Sequence, residues 1–122
     1  MEKESINAIN WIEAMQSGNY KQGKKRLGNH ELGFCVWGLG CYISNIPYNP
    51  MMIWNSELHK HIGFIRMHSK MFPHVNDFYV SLIGLNDDGN WTFKQIANYL
   101  IKHADTNFIP NVALEIKKHF NY

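Results

Sequence analysis

Between positions 20 and 26 the chain reads Tyr-Lys-Gln-Gly-Lys-Lys-Arg, a run of cations with one ring and one amide among them. Phosphate groups are held by positive charge together with amide or backbone donors, and nucleotide bases by an aromatic face. Tyr20, Gln22, Lys24, Lys25 and Arg26 therefore form a candidate binding set, which Trp37 and Tyr42 extend as stacking surfaces. The rings would stack, and the amide and cations would hold phosphates. A solvated basic loop is the plainer reading of the same residues.

Other residues with chemical potential carry less. His59 and His61 share a face on a strand and diverge on a helix. With His68 and His74, or with Asp77 or Asp87, they could assemble a metal-dependent hydrolytic site, but no spacing matches a signature such as HExxH. The acidic run LNDDGNWTFKQ fails as a calcium loop: with Gly89 at the invariant glycine, the first and twelfth ligand positions fall on Gly84 and Gln95, where carboxylates are required. Cys35 and Cys41 are six residues apart, about 9 Å along a helix, which is too far for a disulfide. Cys35 lies in an apolar run, where a thiol is a poor nucleophile. Neither a GxSxG elbow nor a P-loop occurs. No catalytic residue, metal or cofactor is assigned, and binding without catalysis is the expectation.

These residues need elements to position them. The 122 residues suit one domain, 1–122, and a hydrophobic content of 45% can build a core. The net charge of +2 is too mild for a nucleic-acid coat. No apolar stretch approaches the roughly 20 residues that span a bilayer, and Met1 to Ser5 read as a cytosolic start. Ser5 to about Ser17 should be a helix, with Ser5 as N-cap, Gly18 closing it, Ala8, Trp11, Ile12 and Met15 inward, and Asn7, Asn10 and Glu13 opposite. Residues 19–33 read as a loop with room for a hairpin around Tyr20 to Leu27. Phe34 to about Ser44 is apolar all round and reads as a buried helix, with a buried strand as the alternative because periodicity cannot separate the two, and Gly38 and Gly40 imply close approach of another backbone or a ligand. A short helix is expected from Glu57 to about Met67. Thr92 and Gln95 form a capping box for a helix over 93–104, with Trp91 and Ile96 as its staple. A last helix follows Pro110, with Val112, Ile116 and Phe120 inward. The fold class predicted is mainly α: four to five short helices around a buried central helix, with one small β-hairpin allowed.

Three segments, WIEAMQSGNYKQGKKRLGN, FCVWGLGCYI and LIGLNDDGNWTFKQIANYLIKHAD, resemble a family of small proteins common in tailed bacteriophages and prophages. Its members read W-x-x-A-L-x-S-G-x-Y-x-Q, then a C-x-G-x-x-C-like helix, then L-x-x-L-N-D-x-G-x-S/T-F-x-x-I-A. Trp11, Ala14, Gly18, Tyr20 and Gln22 match the first block, and Cys35, Gly38 and Cys41 the second. Leu85, Asn86, Asp87, Gly89, Thr92, Phe93, Ile96 and Ala97 match the third. Residues 45–80 depart from the pattern. The resemblance implies a viral protein in the host cytoplasm, without a particular activity. The function expected is a counter-defence protein that sequesters a small anionic or nucleotide-like ligand, such as a nucleotide-derived host immune signal. The alternative is stoichiometric inhibition of a host defence protein through Met51-Met52-Ile53-Trp54. A small metal-dependent hydrolase ranks third, and homo-oligomers are left open.

Overall fold

A computed structural model of the chain describes residues 1–65 and 82–122. Helix α1 (Lys3–Ser17) buries Ala8, Trp11, Ile12 and Met15 along one stripe and ends at Gly18, whose φ of 78° closes it in a left-handed turn. It starts two residues before the expected N-cap. Glu2 takes that place, and Ser5 lies buried inside the first turn, with no partner for its Oγ among the described residues. Asn7 also departs from the expected outward face. It is buried, and its Nδ2 donates to the His61 carbonyl at 2.9 Å, which joins α1 to the next layer.

The hairpin forms later than expected, as β1 (Gly28–Asn29) and β2 (Gly33–Phe34), paired antiparallel with Gly28 opposite Phe34. Helix α2 (Val36–Ile43) follows at once. Val36 to Cys41 are buried on every side, while Tyr42 turns out to solvent. The close approach implied by its glycines is real, and it comes from the protein itself. A Cβ on Gly38 would stand 1.8 Å from the Leu27 carbonyl oxygen, and one on Gly40 would meet Leu58 and Trp11. Trp11 Nε1–H also donates to the Val36 carbonyl at 3.0 Å, so α1 and α2 are locked by a polar contact inside an apolar core.

Helix α3 (Leu58–Ile62) stops at Gly63, shorter than the 57–67 expected. Beyond it, Ile65 N–H donates to the Asn107 carbonyl and Ile109 N–H to the Gly63 carbonyl, at 2.8 and 2.9 Å. Helix α4 (Leu82–Asp87) absorbs the first two residues of the expected turn, Asn86 and Asp87. Helix α5 (Phe93–Lys102) carries both halves of the capping box: Gln95 N–H donates to Thr92 Oγ1 at 3.1 Å, and Thr92 N–H to Gln95 Oε1 at 2.8 Å. It breaks at His103, two residues short of the expected end, into α6 (Ala104–Asn107). Helix α7 (Pro110–His119) has proline in its first turn and buries Val112, Ala113 and Ile116. The class is mainly α with one small hairpin. α1 packs on α2, α3, α5 and α7, so it and α2 form the centre of the core.

Candidate functional site

The basic loop hangs from the hairpin. Phe34 N–H donates to the Lys21 carbonyl at 2.8 Å, and Gly23 N–H to the Phe34 carbonyl at 2.7 Å. Farther on, Leu27 and Gly28 N–H donate to the carbonyls of Met52 and Pro50 at 2.7 and 2.8 Å. With both ends tied, Lys24, Lys25 and Arg26 are held out in solvent. Lys25 sits at φ 68°, an uncommon conformation for a residue with a Cβ.

The loop's cations diverge. Lys24 Nζ donates to Asn90 Oδ1 in the turn between α4 and α5. Arg26 Nη1 lies 3.9 Å from Met51 Sδ on the other side. Gln22 is committed elsewhere than to a phosphate. Its Nε2 donates to Asn86 Oδ1 at 2.7 Å and to the Trp91 carbonyl at 2.8 Å, and its Oε1 accepts from Phe93 N–H at 3.0 Å. That N–H opens α5 and has no partner within the helix. Asn86, fully buried, completes the clamp by donating to the Gly23 carbonyl at 2.8 Å.

Trp37 is likewise enclosed rather than open to a ligand, at 1% exposure. Its Nε1–H donates to the Asn55 carbonyl at 2.9 Å, and Trp54 stacks on it at 4.8 Å and 7° between planes. The rings of Tyr20 and Tyr42 lie 6.2 Å apart. His30 joins them, stacked on Tyr20 at 5.9 Å and edge-on to Tyr42 at 4.9 Å. Its only sequence signal is its position between Gly28 and Gly33, in the turn of the hairpin. Tyr42 also borders an open cleft of about 620 Å³ lined by Ile43, Asn45, Ile46, Pro47 and Tyr48. Tyr48 O–H donates to the Gly28 carbonyl at 2.8 Å, and burial pushes its phenol pKa up.

Burial pushes the Cys35 thiol up to about 11 and the Cys41 thiol up to about 12, so neither is a thiolate near neutrality. Cys35 Sγ instead caps α2, accepting from Gly38 N–H at 3.3 Å. His59 and His61 sit on α3, with His59 Nδ1 buried and without a partner among the described residues. Asp87 accepts from Asn86 Nδ2 at 2.8 Å. Among the described residues no cluster of three His, Cys, Asp or Glu side chains could hold a metal ion. His68, His74 and Asp77 fall outside the described residues. No described helix is long and apolar enough to cross a membrane.

A family described as "Domain of unknown function (DUF8296)" matches residues 3–61. The matched stretch carries α1, the basic loop, the hairpin, α2 and the Met51–Trp54 run. No curated protein and no solved structure matches the chain. Over residues 3–61 the chain is thus similar to an uncharacterised family.

Proposed function

We propose that the protein is a non-enzymatic binding protein, docking through Met51–Trp54 and the basic loop on another protein that rims an apolar pocket with acidic side chains. One observation carries this reading: Met51, Met52, Ile53 and Trp54 are 59%, 53%, 57% and 39% exposed in an unbroken run. Consecutive exposed apolar residues are a liability in a monomer unless they serve an interface. Trp, Met and Arg are the side chains enriched in interface cores, and Arg26 lies against Met51. Trp54 rests on Trp37, so little freedom is lost when it is covered. The basic rim of Lys25 and Arg26 supports an acidic partner, whose charge would complement it.

With the resemblance to small phage and prophage proteins, the partner class favoured is a host defence effector or nuclease, blocked stoichiometrically. The test passes nuclease-treated lysate of a bacterial host over immobilised wild type, Ile53→Asp and Arg26→Glu. The expected result is one acidic protein held in near-equimolar amount by the wild type, released by salt and lost from both variants. Equal retention on Ile53→Asp, or no acidic protein retained, sinks the proposal.

A second reading keeps the sequestering of a small anionic ligand, such as a nucleotide-derived immune signal. The convergence of Tyr20, His30 and Tyr42 beside an open cleft supports it, with Lys21 adjacent to Tyr20 as the charge. Calorimetric titration with cyclic nucleotides and ADP-ribose derivatives decides it: absence of heat with all of them removes the reading.

A further inference from the structure

Helix α5 buries Phe93, Ile96, Ala97, Leu100 and Ile101, which leaves a second face to solvent. Along that face stand Trp91, Gln95, Asn98, Tyr99, Lys102 and His103, lining an open cleft of about 350 Å³. Their spacing of i, i+4, i+7, i+8, i+11 and i+12 is that of one helical stripe. The rings touch in series: Trp91 meets Tyr99 edge-on at 6.1 Å, and Tyr99 meets His103 at 4.9 Å. Lys94, three residues from Trp91 and four from Asn98, borders the stripe, and Lys102 lies within it. Neither lysine forms an ion pair among the described residues. Lys24 reaches the same end of the helix through Asn90, while Asp87 and Asp88 supply the opposing charge in that turn.

A row of rings flanked by cations and amides is the surface on which bases stack and a phosphate backbone is tracked. The row runs from Trp91 through Tyr99 to His103, with successive ring centroids 6.1 and 4.9 Å apart, along an open cleft. A site of this shape cannot enclose a small ligand, which normally loses most of its surface to its pocket. A chain of nucleotides suits it. We infer that the exposed face of α5 binds single-stranded nucleic acid, its bases stacking on Trp91, Tyr99 and His103 and its phosphates held by Lys94 and Lys102. The site is local and needs no strongly basic protein around it, so the net charge of +2 is no obstacle.

The experiment is fluorescence anisotropy with a labelled oligothymidylate of about twelve nucleotides at low salt, alongside quenching of tryptophan emission. The wild type should bind and quench, with affinity falling steeply as salt rises. Tyr99→Ala and Lys102→Glu should each weaken binding about tenfold or more, with thermal melts verifying that both variants fold. Lys94→Glu, at an exposed position, gives a third reading should Tyr99→Ala fail to fold. Lys60→Glu on α3 changes net charge equally and should leave binding intact. The inference is overturned if the oligonucleotide does not bind, if thymidine monophosphate or duplex DNA binds equally well, or if Lys60→Glu weakens binding as much as Lys102→Glu.

Discussion

Cys35 shows how a side chain acquires work that its chemistry alone would not suggest. Its sulfur accepts a backbone N–H at the start of α2, and burial holds its thiol neutral, as burial does for Cys41. The sign of the pH effect follows. Both folded pKa values lie above the ordinary value of 9.0. Their contribution to stability is therefore full below about pH 9 and is lost as pH rises towards 11 and 12, because the unfolded chain releases these protons first. Urea melts at rising pH should show midpoints that hold to about pH 9 and then decline. A thiol reagent at neutral pH should label neither cysteine until the protein unfolds. Rapid labelling of the native protein would contradict the burial on which this rests.

The start of α5 is held twice, once by its own capping box and once by Gln22 from the basic loop. The two contacts are neighbours on one helix terminus, so their effects should couple. Gln22→Ala leaves Phe93 N–H and the Asn86 oxygen without a protein partner and should cost about 1–3 kcal/mol. Thr92→Ala should cost about 1 kcal/mol. The double variant, measured by denaturant unfolding, should differ from their sum by about 0.5 kcal/mol or more, whereas strict additivity would mean that the two caps act independently. The same clamp explains why the loop's shape is definite although its cations point to water. Backbone and amide contacts at Lys21, Gln22 and Leu27 fix it, Lys24 is engaged by Asn90, and Lys25 and Arg26 are left to face outside partners.

For the molecule as a whole, the exposed residues Met51 to Ile53 should matter to association and little to folding. Ile53→Asp should change stability by no more than about 0.5 kcal/mol, as surface substitutions do. Trp54→Ala should cost more, about 1 kcal/mol or above, because it uncovers Trp37. Thermal melts of the pair check this ordering, and a large loss with Ile53→Asp would place that side chain in the core instead of at an interface. The two outward surfaces meet at the basic loop, with Arg26 beside Met51 and Lys24 beside the turn into α5.

Local signals determined α1, α5 and α7, whereas the all-apolar run of α2 fitted a buried strand as well as a buried helix until its partners were in place. Helical periodicity, the capping box at Thr92, proline at position 110 and the glycine after Ser17 act over a few residues, so they are legible before any folding is known. The mainly α class followed from them. The hairpin's position, the short α3, the inward Asn7 and the work of Gln22 and Trp37 were settled by partners far away in the chain. Gln22 meets residues 64 to 71 positions away, and Trp37 meets Trp54 and Asn55 across a turn. A glutamine beside lysines looks the same in sequence whether it faces a phosphate or caps a distant helix. Only the folded chain, by bringing an orphan N–H within 3.0 Å of its amide, decides between the two.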